Sequence, residues 1–226
     1  MKKLISIILV MIISLGSYAQ DVTKFLGIPV DGTKESMKQK LIQKGFKYNV
    51  KEDILEGEFN GGKVDISIVT YRNKVWRIAV MDANPCDESQ IKIRFNNLCN
   101  QFARNKKYMP MGDADKYIIP DDEDISYELS VNNKSYEASY IQNIHDIDSI
   151  QAANLMKEAL VQKFSVDDMK SIENLSESEI LNIAAEALYE YCRKKTVWFT
   201  IRKDYLGYNI IIFYDNELNH NTDDEI

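Results

Sequence analysis

The chain has 226 residues, with 28 Lys and Arg against 35 Asp and Glu and a net charge of −7. An acid excess of this size repels polyanions, which excludes nucleic acid and anionic lipid surfaces as natural partners. Two histidines cannot build a histidine-rich metal centre, and the glycine loops, Gly-x-Ser-x-Gly and His-Glu-x-x-His that mark common chemistries do not occur.

The N-terminus reads as an export signal. Lys2 and Lys3 precede an apolar run from Leu4 to Leu15, then Gly16 and the small-residue cleavage pattern of Ser17-Tyr18-Ala19. The run is shorter than the ~20 residues that span a bilayer. Gln20 and Asp21 stand where a lipid-anchored protein would carry cysteine. Residues 1–19 are therefore expected to be removed, with no stable membrane insertion afterwards. The remainder carries 26 basic against 35 acidic side chains. Its expected place is the periplasm or the medium.

The elements expected after that point are these. Thr33 caps a helix with Met37, Leu41 and Ile42 on its apolar stripe, and Gly45 ends it. Three strands follow: Ile54 to Phe59, Lys63 to Tyr71 and Val75 to Met81. Asn60-Gly61-Gly62 and Arg72-Asn73-Lys74 turn between them. In the third strand the alternation places Trp76, Ile78 and Val80 opposite Arg77. Asp87 and Gln90 then read as a capping box for a helix with Ile91, Phe95, Leu98 and Phe102 on one face. A polar, acidic loop from Tyr108 to Asp124 leads to two further strands, Ile125–Val131 and Ser135–Ile141.

Residues 148–193 contain neither proline nor glycine and read as three helices. Asp148 starts the first, Ser165 with Asp168 the second, and a Ser176–Glu179 capping box the third. Strands Thr196–Arg202 and Tyr208–Tyr214 close the domain, and the acidic residues 217–226 read as a disordered tail. The fold class is α+β. About seven antiparallel strands carry helices on one face, and residues 148–193 form a helical insertion or lobe in one domain, 20–216.

Two resemblances add to this. Gly27-Ile28-Pro29, Asp31-Gly32-Thr33 and Gly45-Phe46, with Val197-Trp198-Phe199 and Tyr214-Asp215-Asn216 near the end, resemble a group of secreted proteins of unknown function from Gram-negative anaerobes. That resemblance implies export and an α+β fold and no activity. The helix-plus-meander unit is similar to the β-lactamase-inhibitor-like modules of exported binding proteins, an analogy of fold alone.

Candidate chemistry is thin. His145 beside Asp146 and Asp148 could serve as a base or a ligand, but a metal site needs three or four convergent groups. Asp113, Asp115 and Asp121-Asp122-Glu123-Asp124 lack calcium-loop spacing and its glycine. Cys192 lies at a helix C-terminus, whose negative end disfavours a thiolate. Cys86 and Cys99 are separated by ~19 Å of expected helix, against the ~7 Å a disulfide allows. A bridge from Cys192 to one of them stays open, and three buried, inert thiols are expected. No catalytic residue, cofactor or metal is assigned.

The aromatic content is more informative. Thirteen tyrosines and two tryptophans fall largely on strands. If helices cover one face only, Trp198 faces the other, and Tyr136 and Tyr140 are the further candidates for an open binding face. The expected function is an exported binding module for protein or glycan. A carboxylate-dependent hydrolase and a structural envelope component are the alternatives.

Overall fold

Turn chemistry and alternation build most of this molecule, described by a computed structural model over residues 22–142, 149–163 and 175–220. The expected export segment, His145 to Asp148, the helix expected at Ser165–Asp168 and the acids Asp223–Glu225 lie outside the described residues. Asp53, Asn60 and Gly61 have positive φ, as do Arg72 and Asn73. The pairs 60–61 and 72–73 are two-residue hairpin turns whose twist matches that of the flanking strands.

A short hairpin, β1 (Lys24–Phe25) with β2 (Ile28–Pro29), opens the chain. Helix α1 (Lys34–Gln43) starts at Thr33, whose hydroxyl accepts the Ser36 N–H, and buries Met37 and Leu41. Gly45 at φ +101° ends it, with its N–H bonded to the Ile42 carbonyl and that of Phe46 to the Leu41 carbonyl. Strands β3 (Lys47–Asn49), β4 (Ile54–Phe59), β5 (Gly62–Tyr71) and β6 (Lys74–Asp82) then run as a meander. Helix α2 (Glu88–Arg104) is capped by Asp87, whose carboxylate accepts the Gln90 N–H. It buries Ile91, Phe95, Leu98, Cys99 and Phe102, as its periodicity requires.

The second half continues with β7 (Tyr108–Pro110), a 3-10 turn at Ala114–Tyr117, α3 (Ile125–Ser130) and β8 (Glu137–Gln142). Helices α4 (Ser149–Lys163) and α5 (Glu177–Arg193) pack against each other, and β9 (Thr196–Lys203) and β10 (Tyr208–Asp215) complete the sheet. The Ser176–Glu179 capping box at the start of α5 is formed in both directions.

All eight main strands pair antiparallel in the order β3-β4-β5-β6-β10-β9-β8-β7. The order repeats itself about its middle. Each half is a helix followed by a four-stranded meander, and the last strand of each, β6 and β10, meets the other. The α4–α5 pair is inserted between β8 and β9 of the second half. Side chains of α1 and α2 pack on one face with Leu55, Val64, Ile66, Ile78, Val80, Tyr140, Val197, Phe199 and Ile212 in one core.

Several expectations need correction. Ile125–Val131 is not a strand. Its alternate Ile, Tyr, Leu and Val imitate a strand period, but Asp124 caps a helix by accepting the Tyr127 N–H, and Ile125 and Leu129, four apart, share the face turned to the core. The two extra strands, β3 and β7, have three residues each, too few for any period to show. The chain beyond Asn216 is not wholly irregular: Glu217–Asn219 form a 3-10 turn. Asn216 holds it, donating to the Val30 carbonyl and accepting the Leu218 N–H, while the Asn219 amide donates to Asp31 and to the Val75 carbonyl. Among the described residues no helix is long and apolar enough to cross a membrane.

Candidate functional site: the outer face of the sheet

Strand side chains alternate, so every second residue of β4 to β9 points away from α1 and α2. Registers place these outer residues in rows that cross the strands. One row runs Ser67, Ala79, Phe213, Trp198, Ser139. The row beside it runs Glu56, Asp65, Met81, Ile211, Thr200, Glu137. On the other side Val69, Arg77 and Asp215 stand in line.

The centre of this face is a set of rings around one guanidinium. Trp198 and Phe213 stack with centres 4.2 Å apart and planes 27° apart. The Arg77 guanidinium carbon lies 4.2 Å from the centre of Trp76, 4.6 Å from that of Phe213 and 5.5 Å from that of Trp198. Its charge is met by Asp215 through two 2.7 Å hydrogen bonds, Nε to Oδ1 and Nη2 to Oδ2. Asp215 Oδ2 also accepts the Trp198 indole N–H at 2.9 Å. A fork-to-fork pair of this kind fixes both partners in plane. The Asp215 side chain is 5% exposed and that of Arg77 23%, so solvent reaches the pair from the arginine side.

Trp76 owes its place to a bulge. Val69 pairs with Arg77 but Thr70 pairs with Val75, which leaves Trp76 as the extra residue of β6. Alternation alone put Trp76 beside Ile78 and Val80 in the core. The structure instead buries Val75, Ile78 and Val80, and Trp76 is half-buried with His220 stacked on it at 4.1 Å. Tyr71 meets the same imidazole edge-on at 5.6 Å. His220 reaches this place because the 3-10 turn after Asn216 is pinned to the body of the protein.

Of the three rings singled out from sequence, Trp198 lies on the outer face and two lie elsewhere. Tyr140 is fully buried and Tyr136 is 5% exposed, both in the core. Tyr140 packs on Phe102, Tyr117 and Phe199, and Tyr136 donates to Glu123 from beneath the acidic loop. Burial pushes both phenols well above their usual range. Their face follows from strand parity: β8 pairs Ala138 with Phe199 and Tyr140 with Val197, both core residues. Arg77, Phe213, Asp215 and Trp76 were not singled out, and His220, which falls in the stretch expected to be a solvated, disordered tail, instead stacks on Trp76. A Phe–Tyr–Asp strand beside Val–Trp–Phe signals hydrophobic pairing, and only the register shows which rings meet.

Several of the other candidates serve the structure. Asp113 and Asp124 cap helical turns, and Glu123 pairs with Lys134 and Tyr136. Cys86, Cys99 and Cys192 are free thiols. Burial raises all three, Cys99 to about 12, which keeps them protonated and poorly nucleophilic at neutral pH. Cys86 is only half-buried, unlike the fully buried thiol expected there.

The outer face offers contact: held rings, a guanidinium fixed among them, and small residues (Ser67, Ala79, Ser139) on either side of the Trp198–Phe213 stack. The fold and this face define an antiparallel-sheet α+β module with a preformed aromatic surface. Comparison with protein-family models, with curated proteins and with solved structures finds no match for this chain.

Proposed function

We propose that this is an exported binding module, trimmed of residues 1–19, whose outer sheet face docks a protein partner in the periplasm or the medium. The observation that carries the binding role is the Arg77 guanidinium held among Trp76, Phe213 and Trp198 with Asp215 locking it. Trp, Tyr and Arg dominate the energetics of protein interfaces, above all where they are held in place before the partner arrives.

The same geometry favours a protein over a sugar. A sugar ring stacks on a broad free ring face. Here Trp76 already carries His220 and Trp198 already carries Phe213, so the surface is a ridge of rings between troughs of small residues. A strand-adding partner is disfavoured as well, because both edge strands, β3 and β7, have three residues each.

A photoreactive residue placed at Ala79 or Ser139, in the native host, tests the role. The expected result is one discrete cross-linked protein from these positions that is lost on Trp198→Ala and absent when the probe sits at Ile93, on exposed α2. Equal cross-linking from Ile93, or none from the outer face, overturns the proposal. N-terminal sequencing of the exported chain is expected to begin at Gln20. An untrimmed chain in the cytosol overturns the export half.

A further inference from the structure

Beside the aromatic ridge, the outer face keeps two carboxylates side by side. Glu56 on β4 stands directly across from Asp65 on β5, and Asp65 stands across from Met81 on β6. Like charges in opposed positions of an antiparallel pair oppose folding. Among the described residues neither carboxylate is in an ion pair, although Glu56 accepts the Asn49 amide at 2.7 Å and has Lys47 across from it on its other side. Lys63 faces Glu58, one row away, so no lysine stands across from Asp65. Burial, with Glu56 and Glu52 nearby, raises the Asp65 carboxyl above its usual range. A position kept acidic at a cost to folding is one where a cation brought from outside returns the most.

The spacing relates this pair to the ridge. Asp65 and Phe213 are two strands and one row apart; with neighbouring strands ~4.8 Å apart and ~3.4 Å per residue along them, the carboxylate lies ~12 Å from the Phe213 ring. Between them the surface is low, formed by Ala79 and Ser67 and bordered by Met81. The chain as a whole carries a net charge of −7, which draws a basic partner over long range as well.

We infer that the partner of this face is a basic protein segment that lays an apolar side chain against Phe213 and Trp198 and brings a Lys or Arg to Glu56 and Asp65, an inference that rests on the binding role proposed above. The aromatic stack supplies the residence and the acid pair the choice of charge. An acidic segment of the same shape would meet Glu56, Asp65 and Glu58 as like charges.

Blocked peptides with Lys or Arg three positions from Trp, and matched peptides with Glu for the basic residue, serve as probes. The signal is the Trp198 indole N–H in nuclear magnetic resonance, assigned through Trp198→Phe. Basic peptides are expected to shift that signal and the amides of β5, β6 and β10, and acidic ones to leave them unmoved. E56Q/D65N is expected to weaken the basic peptides at least fivefold and to reduce their salt dependence, while thermal unfolding shows the variant as stable as the parent or more so. Basic and acidic peptides bound alike, unchanged binding by E56Q/D65N, or no binding by any peptide overturns the inference. Any of these beside a Trp198-dependent cross-link leaves the binding role standing, and loss of the cross-link removes that role independently.

Discussion

Two neighbours on β9 illustrate how differently the faces of this sheet are built. Phe199 is fully buried and touches Phe95, Phe102 and Tyr140. Trp198, one residue earlier, lies half-buried on the other face with Phe213 and Asp215 as its partners. The inner face is apolar and enclosed, so its energy is hydrophobic and sensitive to volume. The outer face mixes rings with charges held by geometry. It gives less to folding, and its groups are the ones the proposed partner would meet.

Phe199→Ala breaks the contrast hardest. Loss of a ring among three others is expected to cost about 4 kcal/mol in denaturant unfolding. Trp198→Ala is expected to cost about 1–2 kcal/mol and to abolish partner cross-linking. Equal losses at the two positions would mean that the outer face is a second core.

Asp215→Ala tests whether the outer network is structural as well as functional. The substitution strands the Arg77 guanidinium and the Trp198 indole N–H without their shared acceptor. A loss of about 2–3 kcal/mol is expected, together with a changed near-ultraviolet dichroism of Trp198. Asp215→Asn, which keeps one acceptor oxygen for Arg77 Nη2 and the Trp198 indole but loses the charge and turns an amide NH2 toward Arg77 Nε, is expected to recover only part of that loss. Asp82, the other buried acid of the sheet, gives the internal comparison: it is paired with Arg94 and accepts the Ile210 N–H on the inner side. Its replacement by Ala is expected to cost as much without touching binding.

The smallest effect sharpens the comparison most. Asp65 has a raised folded carboxyl, so the native state takes up a proton at a higher pH than the unfolded chain does. Its penalty is absent below the unfolded value of about 4 and grows as pH rises through the folded one. Asp65→Asn is therefore expected to stabilise by about 0.5 kcal/mol at pH 7, with the gain vanishing near pH 3. Thermal melts of both proteins across that range check it. A gain that persists at pH 3 would point to packing and remove the charge argument.

Local chemistry made much of the fold legible from residue types. The Thr33, Asp87 and Ser176 caps, the Gly45 stop and the turns at Asn60-Gly61 and Arg72-Asn73 depend on interactions within a few residues, and each forms where its pattern stands. The strand expected at Ile125–Val131 is a helix because its apolar spacing satisfies both a strand and one helical turn, and its tertiary setting chose between them.

The sequence by itself determined the antiparallel α+β character, the charge, the apolar face of α2 and that of α1 apart from Ile42, which is exposed, because periodicity and capping act locally. Only the tertiary structure decided that β10 pairs with β6, that a bulge turns Trp76 out of the core, and that Tyr136 and Tyr140 face inward while Trp198 meets Phe213, Arg77 and Asp215. Those choices depend on register between strands as much as 138 positions apart, and a shift of one residue in register exchanges the two faces of a strand.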